Sequence, residues 1–162
     1  MVDGALVTAQ DVYRDMLRTQ IAPRLRGLGF KGSGATYALP DDARWLLLGF
    51  QQRNIRADCV RFTVNLTVAD KETWDSARLA FSWLGVRPRA NARFPPYSTG
   101  IRLGNLMPPM GNDRWWEVGP PRPSKAVATR ILRAIEDLAV PWLRTGATRW
   151  PELVDPAGTT GT

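Results

Sequence analysis

The chain has 162 residues, 44% of them hydrophobic and 23% charged, a balance that excludes a disordered chain and suits one packed domain without disulfide or metal staples. Its net charge of +7 comes from nineteen Arg and three Lys, scattered rather than in runs, which draws the chain to anionic surfaces without singling out nucleic acid. A single cysteine and no histidine exclude a disulfide framework, CxxC-type zinc or redox chemistry, and any mechanism that needs an imidazole base or ligand.

The first predicted element is a helix over 8–28, where Val12, Met16, Leu17, Ile21, Leu25 and Leu28 recur at helical spacing, Thr8 caps and Gly29 stops. Pro23 removes a backbone donor inside it, so a kink or break is expected near Ile21. The stretch 30–34 is Gly-rich, but it follows a helix and precedes a strand, the reverse of a phosphate-cradling loop, and reads as a connector. A hairpin follows, with strands at 35–39 and 44–52 around the turn Pro40-Asp41-Asp42.

The clearest pattern lies in 58–68, where Val60, Phe62, Val64, Leu66 and Val68 alternate with Cys59, Arg61, Thr63, Asn65 and Thr67. Such alternation predicts a strand whose even positions face the core and whose odd positions face away. Asp70 caps a shorter helix carrying Trp74, Ala77, Phe81 and Leu84 on one face, closed by Gly85. The Arg- and Pro-rich stretch 87–100 has no period and is expected to be a long exposed loop. Strands at 101–106 and 114–118 and a last amphipathic helix from Ser124 to Trp142, with Pro141 in its final turn, complete the order. The expected fold class is α+β: about five antiparallel strands, two long terminal helices on one face, and a short helix between the third and fourth strands.

One domain is expected over 1–145, with a flexible tail at 146–162. The amino terminus has no secretory pattern and the apolar run 45–50 is too short to cross a bilayer, so no membrane association and a cytoplasmic location are expected.

The chain resembles the uncharacterised bacterial family known as domain of unknown function 4304. The likeness rests on Ile21-Ala22-Pro23 followed by Gly29-Phe30-Lys31, on Phe50-Gln51, on Phe62-Thr63-Val64-Asn65-Leu66, on Arg102-Leu103-Gly104-Asn105-Leu106 ahead of Asp113-Arg114-Trp115-Trp116, and on Val140-Pro141-Trp142-Leu143. It implies a fold and a label, and no activity, cofactor or substrate.

Strand parity projects Arg61, Thr63 and Asn65 from the face opposite the core, where Gln51 and Arg102 can join them. One of the adjacent Trp115 and Trp116 joins them too, since neighbours on a strand point oppositely. A face of guanidinium, amide and indole groups suits an anion, a peptide or a base. The plainer account is a solvated sheet face with packed tryptophans. The carboxylate pairs Asp41-Asp42 and Glu136-Asp137 read as turn and helix-surface residues, and Cys59 as inert.

No catalytic residue, metal site or cofactor is expected. The leading expectation is a non-enzymatic binding or protein-interaction domain, of the kind an immunity or accessory factor would be, with an unknown protein or anionic ligand as partner. The alternative is a nucleic-acid-binding module using dispersed Arg and Trp, and an enzyme working without His ranks last.

Overall fold

The structure is a computed structural model that describes residues 6–109 and 111–145; the tail expected at 146–162 lies outside the described residues. A continuous helix over 9–27 opens the chain. It comprises α1 (Ala9–Met16), a π-helical turn (Leu17–Ile21) and α2 (Ala22–Gly27). Thr8 begins it with a capping box: its hydroxyl accepts from the Asp11 amide at 3.2 Å while the Asp11 carboxylate accepts from the Thr8 amide at 2.9 Å. Pro23 does not break the helix. The turn just before it widens, with the Ala22 amide donating to the Leu17 carbonyl, which lets the chain pass a residue that lacks a donor and crowds the preceding turn.

Six strands form one antiparallel sheet: β1 (Lys31–Ser33), β2 (Thr36–Leu39), β3 (Arg44–Arg53), β4 (Val60–Asp70), β5 (Thr99–Arg102) and β6 (Trp116–Val118). The first five are neighbours in chain order, and β6 also pairs with β4. The stretch expected to be a mere connector therefore supplies an edge strand. β1 turns into β2 through Gly34, whose φ of +62° is the left-handed conformation a two-residue hairpin requires. The long pair β3–β4 sets Arg53 opposite Arg61, Gln51 opposite Thr63 and Gly49 opposite Asn65. β5 then lies along 65–68 of β4 and β6 along 60–62.

The parity expected of β4 holds. Phe62, Val64 and Leu66 are fully buried in the main core with Leu46, Leu48 and Phe50 of β3, under Tyr13, Met16, Ile21 and Leu25 of the first helix. The Tyr13 ring centre lies 5.2 Å from that of Phe62. The last helix covers the same face and is built like the first: α5, here preceded by the one-turn α4 (Leu103–Leu106), runs Ser124–Ala134, a second π-helical turn Ile135–Ala139 follows, and α6 (Val140–Thr145) contains Pro141. Ser124 is its first helical residue, and its hydroxyl accepts from Gln20 Nε2 at 3.0 Å, tying the two long helices together. The segment Leu103–Leu106, expected to extend a strand, is α4, and it buries Leu103 and Leu106 in the main core.

The opposite face differs most from expectation. Asp70 caps α3 (Lys71–Ala80) by accepting from the Thr73 amide at 2.8 Å, and the chain after α3 crosses the sheet instead of standing clear of it. This strap, 81–98, buries Leu84, Pro88, Ala90 and Ser98. Ala69, Trp74, Ala77 and Leu84 make a second core, with Trp45, Phe94 and Tyr97 packed against it. Side-chain bonds to backbone carbonyls fasten the strap: Trp74 Nε1 to Gly85 at 3.0 Å, Thr67 Oγ1 to Ala90 at 3.2 Å, and Asn91 Nδ2 to Phe50 at 3.2 Å. Phe81, expected in the helix stripe, follows the helix and stays partly exposed. Among the described residues no helix is long and apolar enough to cross a membrane.

Candidate functional site

The strap covers the outer face over one half of the long hairpin and leaves the other half open. In the open half, the odd positions of β3 and β4 meet Arg102 of β5 and the segment 113–115 that leads into β6. At its covered border Asn65 Nδ2 donates to Gln51 Oε1 at 2.8 Å and to Asn91 Oδ1 at 3.0 Å. Two strands and the strap are thus joined by one set of amides, which is why amides sit there among apolar strand residues: each finds a partner. A cavity of 210 Å³ opens beside them, bounded by Gln51, Asn65, Arg93 and Arg102.

Farther along the face lies the indole of Trp115. The guanidinium carbons of Arg102, Arg53 and Arg61 stand 5.1, 5.6 and 6.0 Å from its ring centre, within the range over which the ring's negative face attracts a cation. Asp113 fixes the arrangement. Its Oδ2 accepts from Arg102 Nη1 at 2.5 Å and from Trp115 Nε1 at 3.2 Å, so one carboxylate orients both the nearest cation and the ring. Glu117 stands opposite Arg61 in the β4–β6 register, on the same face, and forms its ion pair with Arg122 at 3.2 Å. Three guanidinium groups thus crowd the ring, with Asp113 bound to one of them and Glu117 beside another.

Of the residues expected to share a face, Gln51, Arg61, Asn65, Arg102 and Trp115 come together on it. Thr63 has the expected parity but is fully buried, because the segment before β6 runs over it and its hydroxyl donates to the Arg114 carbonyl at 2.9 Å. Trp116 points the other way, into the main core, with its ring centre 6.1 Å from that of Phe62. The alternation of adjacent strand residues divides the two tryptophans, so Trp116 is corrected to a packing residue. Arg53, Asn91 and Arg93 were missed. Arg53 was within reach, since it continues the odd positions of β3, whereas Asn91 and Arg93 arrive through the strap, which has no period to read.

Burial pushes the Tyr13 and Tyr37 hydroxyls above their ordinary value, and cap hydrogen bonds hold the Asp11 and Asp70 carboxyls below theirs. Among the described residues no three His, Cys, Asp or Glu side chains are grouped to hold a metal ion. Chemically, the open half presents guanidinium groups that suit negative charge and an indole face that suits a planar group.

The sequence model of the family described as Domain of unknown function (DUF4304) matches residues 21–145. No curated protein and no solved structure matches the chain.

Proposed function

Since the chain belongs to the family described as a domain of unknown function (DUF4304), its chemistry must be read from its own side chains, and we propose that it is a non-enzymatic binding domain whose open sheet face takes an anionic group of a partner. The observation that carries this reading is the crowding of Arg53, Arg61 and Arg102 around Trp115, with Asp113 anchoring the ring and Arg102. Like charges held close together repel, and an incoming carboxylate or phosphate relieves that repulsion while receiving paired N–H donors. A protein partner presenting an acidic side chain fits, and an immunity or accessory role is the form of this reading the chain suits. A cytoplasmic location belongs to the same proposal, supported by the lone, buried thiol of Cys59.

The test follows the indole N–H resonance of Trp115, assigned by its loss in Trp115→Phe, while inorganic phosphate or a short acidic peptide is titrated. The reading expects that resonance to move and the movement to vanish in Arg61→Gln. A Trp115 signal indifferent to both anions would remove it.

A second reading has a specific support in Trp115, which is partly exposed beside three arginines. That is the pairing of a stacking platform with backbone-neutralising charge used for single-stranded nucleic acid. It expects binding of an oligonucleotide that weakens steeply with salt, by about 0.7 log units per phosphate contact per log of salt. Salt-insensitive binding would dismiss it.

A further inference from the structure

The strap that borders the open half also walls a second and larger cavity on its other side. This groove of 720 Å³ lies between the strap residues 87–91 and the hairpin strands β1–β3, on the outer face of the sheet. Its volume is that of cavities that bury small organic ligands.

The charge around it is one-sided. Lys31, Arg44, Lys71, Arg87 and Arg89 line it, with Asp41 as the one carboxylate in the lining. Asp41 is committed to local structure: its Oδ2 accepts from the Ala43 and Arg44 amides at 3.0 and 2.8 Å, holding the turn into β3. Its pairing with Arg44 is long, at 3.8 Å. Among the described residues no carboxylate lies within 4.0 Å of Lys31, Lys71, Arg87 or Arg89.

Lys71 is the most informative of these. Its Nζ donates to the Asp41 carbonyl at 2.6 Å and sits 4.7 Å from the ring centre of Trp45. A carbonyl dipole and an indole face hold the ammonium in place without neutralising it, so its charge stands ready for an external anion. Arg44 differs: as an even position of β3 it reaches the helical face, where its Nη2 donates to the Arg144 carbonyl at 2.9 Å, so the cations that serve the groove are Lys31, Lys71, Arg87 and Arg89. The remainder of the lining includes Leu47, Trp45, Pro88 and Ala90, an apolar floor that inorganic anions do not need.

We propose that this groove is a separate binding site for a small organic phosphate, one carrying two or more phosphoryl groups on an apolar or aromatic body. Several uncompensated cations around a bounded cavity match a multiply charged phosphate better than a single carboxylate, and the floor accommodates the organic part. The groove shares Ala90 and Asn91 with the cavity by Asn65 but contains none of the Trp115 cluster, so it stands independently of the function proposed above.

The experiment measures binding to the full chain by calorimetry, with adenosine triphosphate, inorganic tripolyphosphate, adenosine and oligothymidylate as probes. Adenosine triphosphate is expected to bind tightest, tripolyphosphate more weakly, and adenosine not at all. Arg87→Glu with Arg89→Glu, both at exposed strap positions, should weaken adenosine triphosphate by about tenfold or more, and Lys71→Met likewise. Trp115→Phe and Arg61→Gln should leave that affinity unchanged even where they abolish anion binding at the open face. The inference is overturned by an absence of adenosine triphosphate binding at millimolar concentration, by binding that survives the strap reversal, by equal loss in Trp115→Phe, or by oligothymidylate binding more tightly than the triphosphate.

Discussion

Asn91 occupies the space that a side chain at position 49 would need: a Cβ on Gly49 would stand 2.3 Å from Asn91 Oδ1 and 2.9 Å from Ala90 Cβ. The strap is seated on the sheet by a missing side chain. Replacing a strand glycine by alanine normally adds a few tenths to one kcal/mol of stability, but Gly49→Ala must push the strap outward and should cost about 1–3 kcal/mol as overpacking does. Chemical denaturation measures it, and a stabilised variant would mean that the strap does not rest there.

The amide set around Asn65 makes a second expectation. Asn65→Ala strips the donor from Gln51 Oε1 and Asn91 Oδ1 together, and the loss should be about 1–2 kcal/mol at this half-buried place. Because both bonds share one nitrogen, Asn65→Ala and Asn91→Ala should be non-additive in a double-mutant cycle. Strict additivity would separate the strap from the sheet energetically.

Acid stability should depend on the two helix caps. Cap hydrogen bonds to Thr8 and Thr73 hold the Asp11 and Asp70 carboxyls below the ordinary 3.8. The folded state therefore favours the ionised form. Their contribution is complete above pH 3.8 and is lost as pH falls through the lowered folded values. Asp70→Asn should flatten the acid limb of a melting-temperature profile, and an unchanged limb would count against this cap.

At the alkaline end the sign reverses. Burial raises the Tyr13 hydroxyl above its ordinary 10.0, so the unfolded chain releases that proton first and stability falls as pH climbs past 10.0 toward the folded value. The hydroxyl lies beside Gln52, and neither it nor Gln52 Oε1 reaches a hydrogen-bond partner among the described residues. Tyr13→Phe should accordingly lose less than about 1 kcal/mol at neutral pH and show a shallower alkaline decline, both readable from melting temperature against pH.

Removing charge from the open face should harm recognition without unsettling the fold. Arg61→Gln removes both the repulsion with Arg53, its partner across β3 and β4, and the attraction to Glu117, its partner across β4 and β6, and should leave stability unchanged within about 0.5 kcal/mol. Destabilisation well beyond that would show Arg61 to be a structural residue.

Parity carried most of what the sequence made legible. The alternation in 60–68 assigned both faces of β4, and with it the positions of Arg61, Asn65 and, through pairing, Gln51 and Arg102. Three features escaped for physical reasons. Lys31-Gly32-Ser33 has little strand propensity and is a strand only because β2 lies beside it. Leu103–Leu106 is a short apolar run, which periodicity cannot assign to helix or strand. The strap is aperiodic, and its attachment depends on Gly49, Thr67 and Phe50, residues far from it in the chain. The basic groove stayed hidden for the same cause, since the strap supplies one of its walls.

The widened turn at Leu17–Ile21 also fixes how the first helix can change in length. At 3.6 residues per turn Leu25 would sit about 160° around the axis from Ala9, on the solvent side. Yet Ala9, Tyr13, Met16, Ile21 and Leu25 all lie in one core, because the turn absorbs one surplus residue. Losing a single amino acid between 17 and 21 would restore regular winding and keep Leu25 on its present spoke, about 60° from Ala9, while substitutions at exposed Arg18 or Thr19 leave the phase intact. That segment should therefore accept the loss of one residue far more readily than the gain of one, which would leave a second surplus residue to absorb.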